Sequence, residues 1–372
     1  MGDCAQLVIS DTIGVTDKKH ERVRNNMSPI KTAIVGIGRA GWNMHCPELD
    51  QRKDKFIIVA ACDTDAERRH RMAERYACRT YDDIVTLVTD PDIELVSIAT
   101  RSPDHVRHAL LALDAGKAVF LEKPIALNYA EVLRLRDHPA AKDGRLYFRH
   151  NRRFEPAFTH IREILASGLL GKVYEIKLRR NGYQRRADWQ TLKSCGGGQL
   201  NNWGPHIIDH ALQFLDAPLA DLWSDLKVIA AVGDAEDHLK IVLRGTNGRV
   251  VDMEISGGAA LPEPEYIVLG ARGALICAGD DITMRYLPRD YVLPEVQASD
   301  ELPALDYTSG KGGDEPLPWV DERIKVQPSV PTDTDDIWDH LYAAIRQGVP
   351  FPITTAQALE VIRVIELAKQ ST

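Results

Sequence analysis

From residue 31 to residue 151 the chain alternates short apolar runs with stretches of helical periodicity. The apolar runs are rich in Val and Ile and lie at 32–36, 56–62, 94–99, 118–121 and 146–148. The helical stretches lie between and after them, at 40–52, 65–76, 81–88, 103–115 and 128–137. Strands that are apolar nearly throughout are typical of a parallel sheet covered on both faces. The alternation therefore predicts an α/β domain at 29–151, built on a doubly wound parallel sheet.

After residue 151 the pattern changes to one amphipathic helix followed by longer strands. The helix is predicted at 154–167, and partly alternating strands are predicted at 173–180, 225–232, 239–244, 250–256, 266–269 and 282–286. Asn247-Gly248 separates two of these strands and is typical of a hairpin turn. Residues 152–372 are therefore predicted to form an α+β domain with a large, mostly antiparallel open sheet.

Three further segments complete the predicted organisation. Residues 1–28 are polar and without a clear period, which predicts a disordered leader. Residues 288–331 are rich in Pro and acidic residues, which predicts an irregular loop or arm. Helices at 335–347 and 355–369 close the chain, and we expect the last one to pack near the first domain.

The charge and the hydropathy of the chain argue against two classes of protein, those that bind nucleic acid and those that span a membrane. The chain has 46 Lys and Arg against 54 Asp and Glu, a net charge of −8, which disfavours binding to nucleic acid. No apolar run approaches the roughly 18 residues of a membrane span, and the first residues lack a signal-peptide pattern. The six cysteines form no CxxC pair, as expected for reduced thiols in a cytoplasmic protein.

A glycine-rich turn directly follows the first predicted strand. In Gly36-Ile37-Gly38-Arg39-Ala40-Gly41 the first glycine allows a tight turn, the second a close approach of pyrophosphate, and the third close helix packing. Asp63 ends the second strand, where its carboxylate can accept hydrogen bonds from the ribose hydroxyls of NAD and repel a 2′-phosphate. Because Thr64-Asp65 adds no cation, this Rossmann domain is predicted to favour NAD over NADP.

Three further motifs resemble the Gfo/Idh/MocA oxidoreductase family. They are Thr100-Arg101-Ser102-Pro103-Asp104-His105, the triplet Glu122-Lys123-Pro124, and the segment from Gly196-Gly197-Gly198 through His206 to Asp209. The resemblance extends over nearly the whole chain from residue 31. It implies nicotinamide-side contacts from Thr100, Ser102, His105, Glu122 and Lys123. Arg101 and Ser102 stand where the family often has Pro-Asn, which makes this part of the site less family-like.

Oxidation of a secondary alcohol needs a proton acceptor and a group that stabilises the developing alkoxide. Lys123, at the carboxyl end of a strand, and His206, near the start of a helix, are suitable residue types. The family pattern has Asp at position 202, where this chain has Asn. Without that carboxylate the pKa of Lys123 is expected to be lower than in Asp-bearing relatives. The proton acceptor is then either His206 or Lys123, with Asn202 as a hydrogen-bonding partner.

The candidate substrate-binding residues combine hydrogen-bonding and aromatic side chains, as polyhydroxylated ligands favour. They are Arg153, Tyr183, Arg186, Trp189, Asn202, His206, Asp209 and His210. Along the predicted helix, His206, Asp209 and His210 are expected to share a polar face toward the cleft. His206 and His210 lie one turn apart, but no third ligand is evident, so no metal is predicted. His210 is equally compatible with a satisfied helical histidine.

The resemblance implies an NAD-dependent dehydrogenase that acts on a secondary alcohol of a sugar, inositol or glycoside. Two alternatives stay open. One is an enzyme that oxidises a glycoside transiently, eliminates or hydrolyses it, and re-reduces the product; the other is a non-catalytic NAD-binding regulator. The partner expected beyond the small-molecule substrate is a second copy of the chain, in a homodimer or homotetramer, because the open sheet leaves one face uncovered.

Overall fold

The computed structural model describes residues 28–293 and 316–370. The predicted leader, apart from Ser28, lies outside the described residues, as does the middle of the predicted arm. Among the described residues no helix has both the length and the apolar character needed to cross a membrane. The chain divides into two compact units. The first runs to Phe154 and includes Ser194–Gly196 and Thr334–Glu366, and the rest of the chain forms the second.

The first unit contains a six-stranded parallel sheet in the order β3-β2-β1-β4-β5-β6. Its strands are β1 Ile30–Val35, β2 Phe56–Cys62, β3 Arg79–Tyr81, β4 Leu95–Ile98, β5 Ala118–Leu121 and β6 Leu146–Phe148. All of them pair in parallel, as the apolar runs predict. The strand order reverses between β1 and β4, and this is where sheets of this kind bind ligands. The predicted doubly wound fold is confirmed.

Several helices of the first unit begin after an Asp or Asn that caps them. The helices are α1 Cys46–Asp50, preceded by the π-helical turn Gly41–His45, then α2 Ala66–Tyr76, α3 Ile84–Val88, α4 His105–Asp114, α5 Tyr129–Asp137, α6 Pro139–Lys142 and α10 Ile337–Tyr342, with α11 Thr355–Gln370 ending in the second unit. Asp65, Asp83 and Asn128 cap α2, α3 and α5 by accepting backbone N–H groups.

Trp338 occupies the centre of the first unit's core and is fully buried. Its ring lies edge-on to Phe56 and Phe120, with ring centroids 5.4 and 4.8 Å away. Its indole Nε1 donates to Glu48 Oε2 over 2.6 Å. The C-terminal segment thus completes the core of the N-terminal sheet.

The second unit contains an eight-stranded sheet in the order β14-β13-β12-β11-β7-β10-β9-β8. Its strands are β7 Val173–Asn181, β8 Leu219–Lys227, β9 His238–Gly245, β10 Val250–Ser256, β11 Tyr266–Gly270, β12 Gly273–Ala278, β13 Asp281–Tyr286 and β14 Val320–Lys325. β7 and β10 pair in parallel and the other neighbours are antiparallel. The helices are α7 Pro156–Ala166, α8 Gln199–Asn202 and α9 Gly204–Leu215. The predicted mostly antiparallel sheet is confirmed.

Three details of this sheet differ from the sequence prediction. The strand predicted at 225–232 lies earlier, at Leu219–Lys227. The apolar run at 228–232, which favoured the later position, is outside the strand. β12 was not predicted. β14 lies inside the segment predicted as irregular: Val-Asp-Glu-Arg-Ile-Lys is an edge strand whose exposed charges hide the strand pattern.

The outer face of the sheet is mixed rather than apolar. Arg179 is nearly buried there and donates to Asp252 Oδ2 over 2.8 Å and to Glu263 Oε2 over 2.6 Å. Trp223 and Ile276 are large apolar side chains that stay about half exposed. The second face of the sheet is therefore partly apolar, as expected, but it also carries the ion pairs of Arg179.

Replacing Trp338 by Ala should remove a large buried ring and leave the Glu48 carboxylate without one of its donors. Substitutions of this kind cost about 3–5 kcal/mol of unfolding free energy. Urea unfolding followed by circular dichroism should show a much lower midpoint for Trp338→Ala. Trp319→Ala is the matched control, because Trp319 is 43% exposed and its loss should change the midpoint little.

Candidate functional site

The loop after β1 has the geometry that the glycine pattern predicts. Gly36 has φ +90°, and a Cβ there would lie 2.6 Å from the carbonyl oxygen of Ala99. A Cβ on Gly41 would lie 2.1 Å from Gly36 O, so the following helix can pack only on a glycine. Gly38 differs, because nothing lies within 4 Å of its Cβ position. That open space beside the loop is where a pyrophosphate would approach, so the residues fit the dinucleotide that the sequence predicts.

Asp63 lies against this loop and accepts two backbone N–H groups. Its Oδ2 accepts Ile37 N over 2.7 Å and its Oδ1 accepts Asp65 N over 3.0 Å. The premise that no cation lies nearby is wrong. Arg68, from the first turn of α2, places Nη1 3.4 Å from Asp63 Oδ2. Arg68 lies five residues after Asp63, and the helical turn brings its guanidinium next to the Asp63 carboxylate. The sequence prediction considered only Thr64-Asp65 and therefore missed this cation.

Lys123 follows β5, in a turn with a cis peptide bond to Pro124. Burial lowers the pKa of its ammonium to about 8, Glu122 opposes this shift, and Arg39 and Arg152 add to it. The largest cause of the shift is desolvation of the ammonium. The expectation that Asn202 lowers this pKa relative to relatives with Asp stays a prediction. A lysine with this pKa is substantially neutral near pH 8 and can exchange protons there.

Glu122 is buried and faces the protein interior. Its Oε1 pairs with His45 Nε2 over 2.9 Å and accepts Arg149 Nη1 over 3.2 Å, and its Oε2 accepts the backbone N of Lys123 over 3.0 Å. Burial favours the neutral acid, but Arg149 and His45 outweigh it and hold the pKa of Glu122 below its usual value. These contacts give Glu122 a role in fixing the turn, beside its predicted contact with cofactor.

His105 is also buried, and its predicted contact with the cofactor stays a prediction. It is 1% exposed, and its ring nitrogens lie 2.7 Å from Pro124 O and 3.1 Å from Thr100 O. Burial lowers the pKa of this imidazole. The ring thereby links the end of β4 to the turn after β5. Ser102 begins the short helical turn Ser102–Asp104, and Thr100 Oγ1 contacts His108 Nδ1 over 3.2 Å.

The glycines of the second motif are required by the fold. In the second unit, a Cβ on Gly197 would lie 2.4 Å from Gln190 O. Gly198 has φ +101°, and a Cβ there would lie 2.2 Å from Glu236 Oε1. The run then starts α8, which ends at Asn202, the position of the family's aspartate. Glu236 was not predicted, because it is forty residues away in sequence and carries no motif.

Helix α9 carries His206, Asp209 and His210, all of them buried. Pro205 stands in its first turn, as expected. The ring of His206 lies edge-on to Trp203, with centroids 6.0 Å apart. His210 stacks on Phe158 at 4.0 Å, so it packs in the core instead of facing a cleft with His206. Among the described residues there is no cluster of three His, Cys, Asp or Glu side chains suited to a metal.

The other predicted substrate residues fall into two groups. Tyr183 and Trp189 are exposed in the second unit, and Arg186 there donates to Asp188 Oδ2 over 2.6 Å. Arg153 belongs to the first unit, where it is buried and donates to Gln357 Oε1 over 2.8 Å and to Pro352 O over 3.2 Å. Those contacts tie Arg153 to the C-terminal segment.

Two family models match the chain in order. The first, an oxidoreductase family with an NAD-binding Rossmann fold, matches residues 30–150, and the second, the GFO/IDH/MocA C-terminal domain, matches residues 158–276. The chain belongs to the Gfo/Idh/MocA oxidoreductase family. This agrees with the glycine loop, the Glu-Lys-Pro turn and the second glycine run as the structure describes them.

Known members of the family match over most of their length. The chain is 26% identical to scyllo-inositol 2-dehydrogenase (NADP(+)) IolW of Bacillus subtilis (strain 168), covering 94% of this chain and 95% of that protein. It is 31% identical to the uncharacterized oxidoreductase C26H5.09c of Schizosaccharomyces pombe, covering 68% and 72%. The structure of an oxidoreductase from Bacillus cereus shares the fold, with a TM-score of 0.74, 18% identity and coverage of 92% and 96%.

The geometry of the glycine loop predicts that Gly38→Ala weakens dinucleotide binding but leaves the stability of the fold unchanged. The added methyl group meets open space in the free protein, so the unfolding midpoint should stay near that of the wild type. The same methyl group would occupy the pyrophosphate approach, so dinucleotide affinity should fall by roughly tenfold or more, about 1.4 kcal/mol. Fluorescence titration with the dinucleotide and thermal unfolding measure the two effects. Gly41→Ala is the contrasting control, which should destabilise the fold itself.

Proposed function

We propose that this chain is a dehydrogenase that transfers a hydride between a secondary alcohol of a sugar, inositol or glycoside and a nicotinamide dinucleotide. The observation that carries the proposal is Lys123, a buried lysine with a pKa of about 8 at the carboxyl end of β5. It lies in the same unit as the open glycine loop. The match to an inositol dehydrogenase over nearly the whole chain supports the substrate class.

The proposed chemistry assigns separate tasks to the protein and the cofactor. The dinucleotide, when bound, accepts the hydride in the oxidative direction. The substrate hydroxyl must then lose a proton to a group that is neutral at the working pH. A lysine of pKa 10.5 is about 0.3% neutral at pH 8, whereas one with a pKa near 8 is about half neutral. In the reductive direction the ammonium form returns the proton.

His206 is the second proposed proton-transfer residue, and Asn202 is proposed to hydrogen-bond the substrate. Both lie in the glycine-run motif that the family places at its catalytic centre. The amide of Asn202 can donate and accept hydrogen bonds but adds no charge. We therefore propose that Lys123 takes a larger share of proton transfer here than in relatives that have a carboxylate at this position.

Variants of these three residues test the assignment. Lys123→Ala and His206→Ala should each lower turnover by about 10²-fold or more, the usual scale for a positioned acid or base. Lys123 loses its proton as pH rises through about 8, so oxidation should rise over that range in the wild type. Asn202→Asp adds a carboxylate, which favours the ammonium, so the rise should move to higher pH.

The pH–rate profile of kcat/KM provides the measurement, with dinucleotide binding as the control for folding. Cofactor affinity should survive in His206→Ala, because His206 is not part of the dinucleotide-binding unit. An Asn202→Asp variant whose profile stays in place would show that His206, not Lys123, takes the proton. Full activity in Lys123→Ala would show that the chemistry has been assigned to the wrong residue.

For the cofactor we propose NAD in preference to NADP. The Asp63 carboxylate is held in place by Ile37 N and Asp65 N, so a 2′-phosphate would meet a fixed negative charge. Arg68 is half exposed and already lies near Asp63, so it would have to leave that contact to bind a phosphate. The Bacillus subtilis relative is named as an NADP(+) enzyme, so the balance between repulsion by Asp63 and attraction by Arg68 needs to be measured in this chain.

Titration of both dinucleotides into Asp63 and Arg68 variants measures the balance. The wild type should bind NAD more tightly than NADP. Asp63→Ala should narrow the difference by removing both the ribose contact and the repulsion, whereas Arg68→Ala should widen it by removing the nearby cation. Equal or tighter binding of NADP by the wild type would contradict the proposal.

We further propose a homodimer or homotetramer formed through the outer face of the eight-stranded sheet. The half-exposed Trp223 and Ile276 on this face support a covered surface. Sedimentation velocity at micromolar concentration should give a mass of at least twice 41.5 kDa. Ile276→Asp should shift the distribution toward the monomer, and a wild-type mass near 41.5 kDa would contradict the proposal.

A further inference from the structure

A small, shallow polar depression lies wholly within the second unit. Its walls include Gln184, Arg186, Gln190, Gln199, Asn202 and Glu236. Asn202 stands at the position of the catalytic aspartate in the family motif, so the depression adjoins the proposed chemistry. Four of its side chains are amides that can both donate and accept hydrogen bonds, which suits hydroxyl groups.

Glu236 is one of two carboxylates that line this depression, the other being Asp237, and backbone N–H groups contact it. Its Oε1 accepts Leu200 N over 3.0 Å, and its own carbonyl accepts Gln199 N over 2.9 Å. A Cβ on Gly198 would lie 2.2 Å from Oε1 and 2.5 Å from Oε2. The φ of +101° requires glycine at 198, and the missing side chain leaves room for the carboxylate beside it.

The charge of Glu236 is not matched by the arginine of the depression. Arg186 donates to Asp188 Oδ2 over 2.6 Å and to Gln190 Oε1 over 2.5 Å, so its guanidinium is bound on its own side. Burial raises the pKa of Glu236, and the hydrogen bond from Leu200 together with the charges of Lys369 and Lys193 offsets only part of that shift. A carboxylate with a purely capping role usually has a lowered pKa, because its hydrogen bonds favour the charged form.

The wall beside Glu236 is held rigidly. Asp237 accepts three successive backbone N–H groups, from Ile229, Ala230 and Ala231, over 2.6–2.8 Å. This fixes the loop between β8 and β9, from which Glu236 projects. A binding surface on a preorganised loop loses little conformational entropy when it meets a ligand.

We propose that Glu236 determines substrate specificity by accepting hydrogen bonds from hydroxyls of a neutral polyhydroxylated substrate and by excluding anionic ones. The inference rests on the proposed dehydrogenase function and narrows it to neutral sugars and polyols. A carboxylated substrate would bring a second negative charge next to Glu236, and like charges placed together in a partly buried site repel each other. An uncharged hydroxyl instead finds a strong acceptor there.

Glu236→Gln tests the proposal, because the amide oxygen can still accept Leu200 N while the charge is lost. Matched pairs of neutral aldoses and their uronates, such as D-glucose and D-glucuronate, are compared by kcat/KM. The wild type should favour the neutral member by about 10²-fold, and Glu236→Gln should reduce that preference by about tenfold. Glu74→Gln is the control for net charge, since Glu74 is 65% exposed in the first unit, and it should leave the ratio unchanged.

A second variant and a binding measurement keep the test decisive. Arg186→Gln removes the positive charge from the opposite wall and should change the ratio the other way, toward the neutral sugar. Calorimetric titration of the same sugar pairs measures the preference without turnover. Absence of turnover with clear, Glu236-dependent binding would overturn the proposed function alone. An unchanged ratio in Glu236→Gln, a wild-type preference for uronates, or no binding of either sugar would overturn the specificity role.

Discussion

The buried pairing of Arg149 with Glu48 and Glu122 is the interaction on which the first unit depends. Arg149 is 1% exposed, and a guanidinium buried to that degree is tolerated only when carboxylates surround it. Glu48 accepts Arg149 Nη2 over 2.6 Å and also the indole N–H of Trp338, which belongs to the C-terminal segment. Glu122 completes the cluster beneath the lysine turn. Removing one member would leave an uncompensated charge, which costs about 3–5 kcal/mol.

This cluster explains how a turn after a strand can hold a lysine out of water. The carboxylate of Glu122 fixes the backbone N of Lys123, and His105 holds the carbonyl of Pro124 from the other side. The side chain of Lys123 then lies in a protein environment that lowers its pKa to about 8. The same burial that the fold requires therefore supplies the chemical property that the proposed reaction uses.

The sequence predicted those parts of the structure that depend on the pattern of neighbouring residues along the chain. Apolar runs marked the strands of the parallel sheet, and the glycines of the loop after β1 marked positions where a Cβ would collide or where a ligand approaches. Two edge strands, β3 and β14, were missed, because their residues are largely exposed and polar and so lack the apolar pattern of a strand. Arg68 and Glu236 were missed for another reason. Their roles depend on contacts made by the folded chain, and neither residue stands in a motif.

The proposed reaction is the oxidation of a neutral polyol or sugar with net formation of reduced dinucleotide. A panel of sugars, inositols and glycosides mixed with NAD and followed at the absorbance of NADH tests it most directly. NADH should form in stoichiometric amounts with at least one neutral member, and Lys123→Ala should lose this activity. Cleavage of a glycoside without accumulation of NADH would indicate transient oxidation instead. Binding of NAD with no turnover of any member would contradict the account and indicate a non-catalytic NAD-binding protein.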